Sequence, residues 1–95
     1  MYARTSTWSG SAETLEKWER HVRGQVAPMV AGLPGNRGAY FFVDRDGGRA
    51  LTLTLWDSEE AAAATDQDAE KSRASTVDAT GVTLLERGRF ELVEV

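Results

Sequence analysis

Few side chains in this sequence could do chemistry, and most of those are spoken for by plainer roles. The chain has one histidine, His21, and no cysteine. An imidazole with an ordinary pKa of about 6.5 suits general-base work wherever it faces a pocket. Arg73 could pair with a phenolate or a carboxylate, although its neighbours Asp66, Asp68, Glu70 and Lys71 read together as a solvated helix face. Asp44-x-Asp46-Gly47 opens like a calcium loop, but Leu55 stands where the twelfth-position glutamate would have to be. Gly32, Gly35 and Gly38 precede a strand instead of opening a helix, so they form no dinucleotide fingerprint. Without cysteine there is no disulfide framework, thiolate metal site or cysteine nucleophile. No metal site is expected, and His21 and Arg73 are the two candidate catalytic side chains.

Composition narrows the classes further. Hydrophobic residues make up 41% of the 95, a globular share that argues against disorder. Fifteen acidic against eleven basic residues give a net charge of −4, which opposes nucleic-acid binding, since that needs a basic face to replace phosphate counterions. The first thirty residues hold no signal-type apolar segment, and no stretch approaches the ~20 apolar residues of a membrane span. The expectation is one small domain over residues 1–95, cytoplasmic, with neither nucleic acid nor membrane as partner.

Punctuation residues set out the elements that must position those side chains. Tyr2 to Trp8 is rich in threonine and aromatics and suits a strand. After Gly10, a stripe of Leu15, Trp18, Val22, Val26, Met29 and Leu33 at steps of three and four marks a helix, with Ser11 as its N-cap. His21 lies about 100° round that helix from the centre of the stripe, beside Thr14 and Gln25, at a surface or boundary position. Pro28 predicts a kink or an early end. Gly32 to Gly38 reads as a loop that includes Asn36. Ala39 to Asp44 and Arg49 to Trp56 form a hairpin about Asp46-Gly47-Gly48. Asp57-Ser58-Glu59-Glu60 caps a second helix that runs from about Glu59 into the seventies. Beyond Gly81, Val82 to Val95 is a last strand, expected to break or bulge at Gly88. The order β-α-β-β-α-β predicts an α+β, ferredoxin-like fold, with two helices on one face of a four-stranded antiparallel sheet.

Helices can cover only one face of such a sheet, yet neither face reads as made for water. Leu51, Leu53 and Leu55 share one side of the third strand, while Thr52, Thr54 and Trp56 share the other. Both faces of Ala39 to Val43 are apolar as well. A second copy, packed face to face on the leucines by two-fold symmetry, would cover what the helices leave open. A monomer with its threonines turned outward is the alternative.

The stretch Leu33-Pro34-Gly35, Gly38, Asp44, Gly47-Gly48, then Leu53-Thr54-Leu55-Trp56-Asp57-Ser58-Glu59-Glu60-Ala61-Ala62 resembles the antibiotic biosynthesis monooxygenase family. The shared features are a Pro-Gly lead-in to the second strand, a hairpin, and a Trp-Asp/Glu-Ser-x-Glu-Ala run opening the second helix. The resemblance implies a dimeric α/β barrel with a pocket between helices and sheet in each subunit. It implies that Trp56 faces the pocket, with Thr52 and Thr54 on the same face where phenol-oxygenating members carry an asparagine. Those members also place a tyrosine where Ala61 to Ala64 stand here. Tyr40 and Phe42 are expected as pocket lining, and Leu51, Leu53 and Leu55 as the dimer interface.

The function implied is oxygenation of a small aromatic or quinone-type metabolite without metal, flavin or other cofactor. Trp56 would stack on the substrate, and Thr52, Thr54, His21 or Arg73 would supply polarity. The alternative is a non-catalytic dimeric module that binds a small molecule or serves structure alone. Haem breakdown, a third activity in the family, requires an asparagine on the first strand and a histidine on the second helix. Here Asn36 and His21 lie in other elements.

Overall fold

In the computed structural model, which describes all 95 residues, local chemistry starts each helix where the sequence places its cap. The Ser11 hydroxyl accepts from the Thr14 amide at 3.1 Å and opens α1, Ala12–His21. Leu15 and Trp18 point inward, while Glu13–Lys17, Glu16–Arg20 and Glu19–Arg23 pair along the wet side. The kink expected at Pro28 takes another form. Residues Val22–Val26 make a π turn, with the Ala27 amide reaching back to the Val22 carbonyl, and the helix continues as α2, Ala27–Ala31. Pro28 has no amide to give and crowds the preceding turn. Widening that turn by one residue absorbs the conflict without ending the helix.

The strands are β1 (Tyr2–Ser9), β2 (Asn36–Asp44), β3 (Arg49–Trp56) and β4 (Thr83–Glu91). They form one antiparallel sheet in the order β2-β3-β1-β4. This is the ferredoxin-like arrangement expected from the element order. β2 begins three residues earlier than the sequence predicts. Asn36 is not a loop residue: its side-chain amide donates to the Leu55 carbonyl at 3.1 Å and to the Gly38 carbonyl at 3.2 Å, tying the lead-in onto β3. β4 ends at Glu91, and its irregularity lies opposite Thr7 and Trp8, not at Gly88, which pairs regularly with Thr5. The hairpin closes as an Asx turn, the Asp44 carboxylate accepting from the Gly47 amide at 2.9 Å.

The second helical segment is two helices. Ser58 caps α3 (Glu59–Ala64), and Thr65 breaks the path before α4 (Asp66–Thr80). The Thr65 hydroxyl bonds back to the Ala62 carbonyl at 2.9 Å, and the Arg4 guanidinium also donates to that carbonyl. Gly81, at φ +81°, closes α4 in the left-handed conformation. No helix is long and apolar enough to cross a membrane.

Both helical layers lie on one face of the sheet. The main core joins Trp8, Ala50 and Val82 to Leu15, Trp18 and Val22, and a second cluster joins Trp56 to Val30 and Ala62. The opposite face is bare. Register puts Tyr40 beside Leu53 and Phe42 beside Leu51, and Tyr40, Phe42 and Phe90 are 51%, 52% and 56% exposed there.

Candidate functional site

Strand alternation decides what faces the helices. From β1 come Arg4, Ser6 and Trp8, from β3 Thr52, Thr54 and Trp56, and from β2 Phe41. Above them pass Val26, Met29 and Val30, with Ser72, Arg73 and Thr76 of α4 closing one side. Between the two layers lies a narrow cleft with about 50 Å3 of enclosed space, so a ring can enter only if the helices over it move outward. Trp8, Phe41 and Trp56 make its walls aromatic.

Trp56 is locked in place. Its Nε1 donates to the Thr54 hydroxyl at 2.9 Å, and the Arg4 guanidinium lies over its ring at 5.3 Å from the centroid. Arg4, buried on β1, also donates to the Thr65 hydroxyl at 3.2 Å and to Asp66 at 2.7 Å. Burial lowers the Arg4 pKa from its ordinary value, the Asp66 hydrogen bond opposes that, and the group stays cationic. Arg73 reaches in from α4. Its terminal nitrogen pairs with Glu70, while its Nε is buried with no acceptor. The Trp8 Nε1 on the same cleft is likewise buried without a partner. No aspartate, glutamate, histidine or tyrosine lines the cleft.

Of the residues singled out from sequence, the structure brings Trp56, Thr52, Thr54 and Arg73 together. The threonine hydroxyls are largely engaged, Thr54 with the indole and Thr52 weakly with the Ser6 carbonyl at 3.4 Å. Tyr40 and Phe42 do not line the cleft. They stand on the bare face with Leu51, Leu53 and Leu55, and Phe41 takes the inward place. Both faces of β2 are apolar, so hydrophobicity alone did not tell them apart. His21 lies outside as well, in a separate groove between the first helix and α4 with Gln25, Asp68 and Lys71. Partial burial lowers its pKa from the ordinary value. Arg4, Trp8 and Phe41 were missed. The signal available was the two-residue period of β1, which puts Arg4 inward with Ser6 and Trp8.

A family model described as antibiotic biosynthesis monooxygenase matches residues 1–74. Over 61 residues the chain is 34% identical to two uncharacterised Mycobacterium tuberculosis proteins, MT2634 and Rv2557, a match covering 64% of this chain and 27% of each of them. The match thus spans about a quarter of the length of these curated relatives. Among the solved structures that share the fold are the following three. A candidate antibiotic biosynthesis monooxygenase from Deinococcus radiodurans superposes with a TM-score of 0.77 at 20% identity, covering 100% of this chain and 95% of that one. A monooxygenase from the gene ActVA-Orf6 of Streptomyces coelicolor, in complex with nanaomycin D, gives 0.76 at 17% identity over 99% and 88%. SnoaB, a cofactor-independent oxygenase from Streptomyces nogalater, gives 0.72 at 19% identity over 99% and 94%.

Proposed function

The chain belongs to the antibiotic biosynthesis monooxygenase family, and from that premise we propose that it oxygenates a small aromatic or quinone-type metabolite in the cleft between sheet and helices, without metal or flavin. One observation carries the reading. The cleft wall sets a cation, Arg73, beside the aromatic side chains of Trp8, Phe41 and Trp56. A flat ring with an ionised oxygen matches that pairing, the ring stacking on the aromatic walls and the oxygen meeting the guanidinium. The bound ligand of the S. coelicolor monooxygenase and the cofactor independence of SnoaB support the same reading.

The chemistry asks little of the protein. An anthrone, through its hydroxyarene tautomer, loses a proton to solvent water, since the cleft wall holds no base. The delocalised anion passes one electron to O2. The two radicals combine at the ring carbon, a proton from water returns to the peroxide, and the peroxide loses water. A ring CH2 and one O2 become a carbonyl and H2O. The site contributes orientation and stabilisation of the anion. Arg73 supplies the positive charge, and Trp56, held by Thr54 and Arg4, supplies the stacking surface. Oxygen uptake with anthrones and hydroquinones, in the presence of a chelator, tests the proposal. The expected result is uptake above the uncatalysed background that falls at least tenfold in Arg73→Gln. Background rates with every such substrate would sink it.

A second reading, a module that holds the same ligand without turning it over, is favoured by the lack of any carboxylate, imidazole or phenol on the cleft wall, since no side chain there can take a proton. Binding without oxygen uptake identifies it. Haem breakdown has no imidazole in the cleft to work with. In either reading the chain pairs with a second copy through the bare face of Tyr40, Phe42, Leu51, Leu53, Leu55 and Phe90. Large aromatics half exposed on one sheet face support that pairing, because monomers seldom leave such patches open.

A further inference from the structure

Beside the aromatic cleft, at the edge where α4 crosses β1 and β4, lies a second, open basin of about 440 Å3 with no apolar side chain on its wall. Four arginines ring it. Arg4 comes from β1, Arg73 from α4, and Arg87 and Arg89 from the inward face of β4. Only two carboxylates answer them. Asp66 lies 2.7 Å from Arg4 and 3.6 Å from Arg89, and Glu70 pairs with both Arg73 and Arg87. The basin therefore carries a surplus of two positive charges in a chain whose net charge is −4.

A network that served only to tie α4 to β4 would balance its charges. This one does the opposite. Arg4 and Arg89 are direct cross-strand partners, an arrangement that sets like charges side by side and costs stability. The donor count is also in surplus. Each guanidinium has five N–H groups in a fork shaped for an oxyanion, and the two carboxylates engage a minority of them. Arg4 is committed to Thr65, Ala62 and Asp66, so it sets the position of the others instead of reaching for a ligand. The side chains of Arg87 and Arg89 are 55% and 40% exposed and free to adjust. Arg4 and Arg73 line both the basin and the aromatic cleft, so the two spaces adjoin.

We propose that the basin holds an anionic arm of the molecule whose ring occupies the cleft, so that the ligand is an aromatic acid and not a neutral arene. The proposal rests on the reading of the cleft as the substrate site. It assigns Arg87 and Arg89 to recognition of the carboxylate, with Arg73 touching both parts of the ligand.

Quenching of tryptophan fluorescence tests it, with Trp8 and Trp56 in the cleft as reporters. The probes are anthraquinone-2-carboxylate and the neutral 2-methylanthraquinone, at one ionic strength. The acid should bind about tenfold or more tightly than the neutral probe, a preference that salt screens. In the Arg87→Gln/Arg89→Gln double variant the ratio of the two affinities should fall below about threefold. If the neutral probe binds and the acid binds no better, the inference is overturned and the cleft reading stands. A preference that survives in the double variant also overturns it, because the selectivity then lies elsewhere. If neither probe binds, both readings fall. The wild-type comparison does not depend on how well the variant folds.

Discussion

Replacing Thr54 with valine is the sharpest probe of how the cleft wall is held. Valine keeps the branched shape and removes the oxygen. Trp56 is 1% exposed, and its Nε1 has the Thr54 hydroxyl as its acceptor at 2.9 Å. Thr54→Val therefore strands a buried indole N–H. The hydroxyl's other contact, to the Arg4 carbonyl at 3.5 Å, lies at the limit of a hydrogen bond and adds little. The stranded donor should cost about 1–3 kcal/mol. For a domain of this size each kcal/mol moves Tm by about 4–8 °C, so the middle of that range is a fall of roughly 10 °C. Urea unfolding at fixed protein concentration measures it, with a double-mutant cycle against Trp56→Phe. Phenylalanine has no N–H to strand, so Thr54→Val should cost little in that background, leaving a coupling of about 1 kcal/mol or more. A Thr54→Val change within about 0.3 kcal/mol of wild type, or an equal cost in both backgrounds, would refute the reasoning.

Three further outcomes are expected. Gly35 sits at φ +80°, and an added Cβ would come 2.7 Å from the Ala61 methyl. Gly35→Ala should therefore cost about 2 kcal/mol or more in urea unfolding, from backbone conformation and close approach together. Leu53→Asp places a charge in the centre of the bare sheet face. Sedimentation equilibrium should show wild type at twice the monomer mass and the variant at the monomer mass, and a wild-type monomer at every concentration would remove the pairing argument. His21 binds protons less readily in the folded state than its ordinary value of 6.5 implies, because burial disfavours the cation. Its contribution is present above that value and is lost as pH falls toward the folded pKa. His21→Gln should flatten the fall in stability between about pH 7 and pH 5, and an unchanged slope would contradict the burial.

The alternation of apolar and polar residues made β3 legible to its ends, and Ser11 and Ser58 announced their helices because a cap is a local device. What escaped the sequence was made by distant partners. The break at Thr65 depends on Arg4, 61 residues away, reaching the end of α3. Asn36 reads as a loop residue until the Leu55 carbonyl is beside it. The alternating tail Leu92 to Val95 reads as strand, but only the Leu92 amide finds a partner, at the Met1 carbonyl. At the site, Trp56 and Arg73 were visible from sequence. The rest of the arginine set was hidden, since Arg4, Arg87 and Arg89 lie on different strands and meet only through the register. Tyr40 and Phe42 were assigned to the wrong side because a strand apolar on both faces carries no hydropathy mark of which face is which.

The π turn at Val22–Val26 also fixes how the two cores are indexed to each other. One residue added to a helix rotates everything beyond it by about 100°. Leu15, Trp18 and Val22 serve the first core, and Val30, beyond the turn, serves the second and roofs the cleft. Removing Gly24, which is exposed and has open space where a Cβ would stand, would restore a regular helix without deleting a side chain. It would also swing Met29 and Val30 off the cleft. The helix is thus a dial with a preset offset, and the shape of the cleft depends on a residue count in the turn that lies over it.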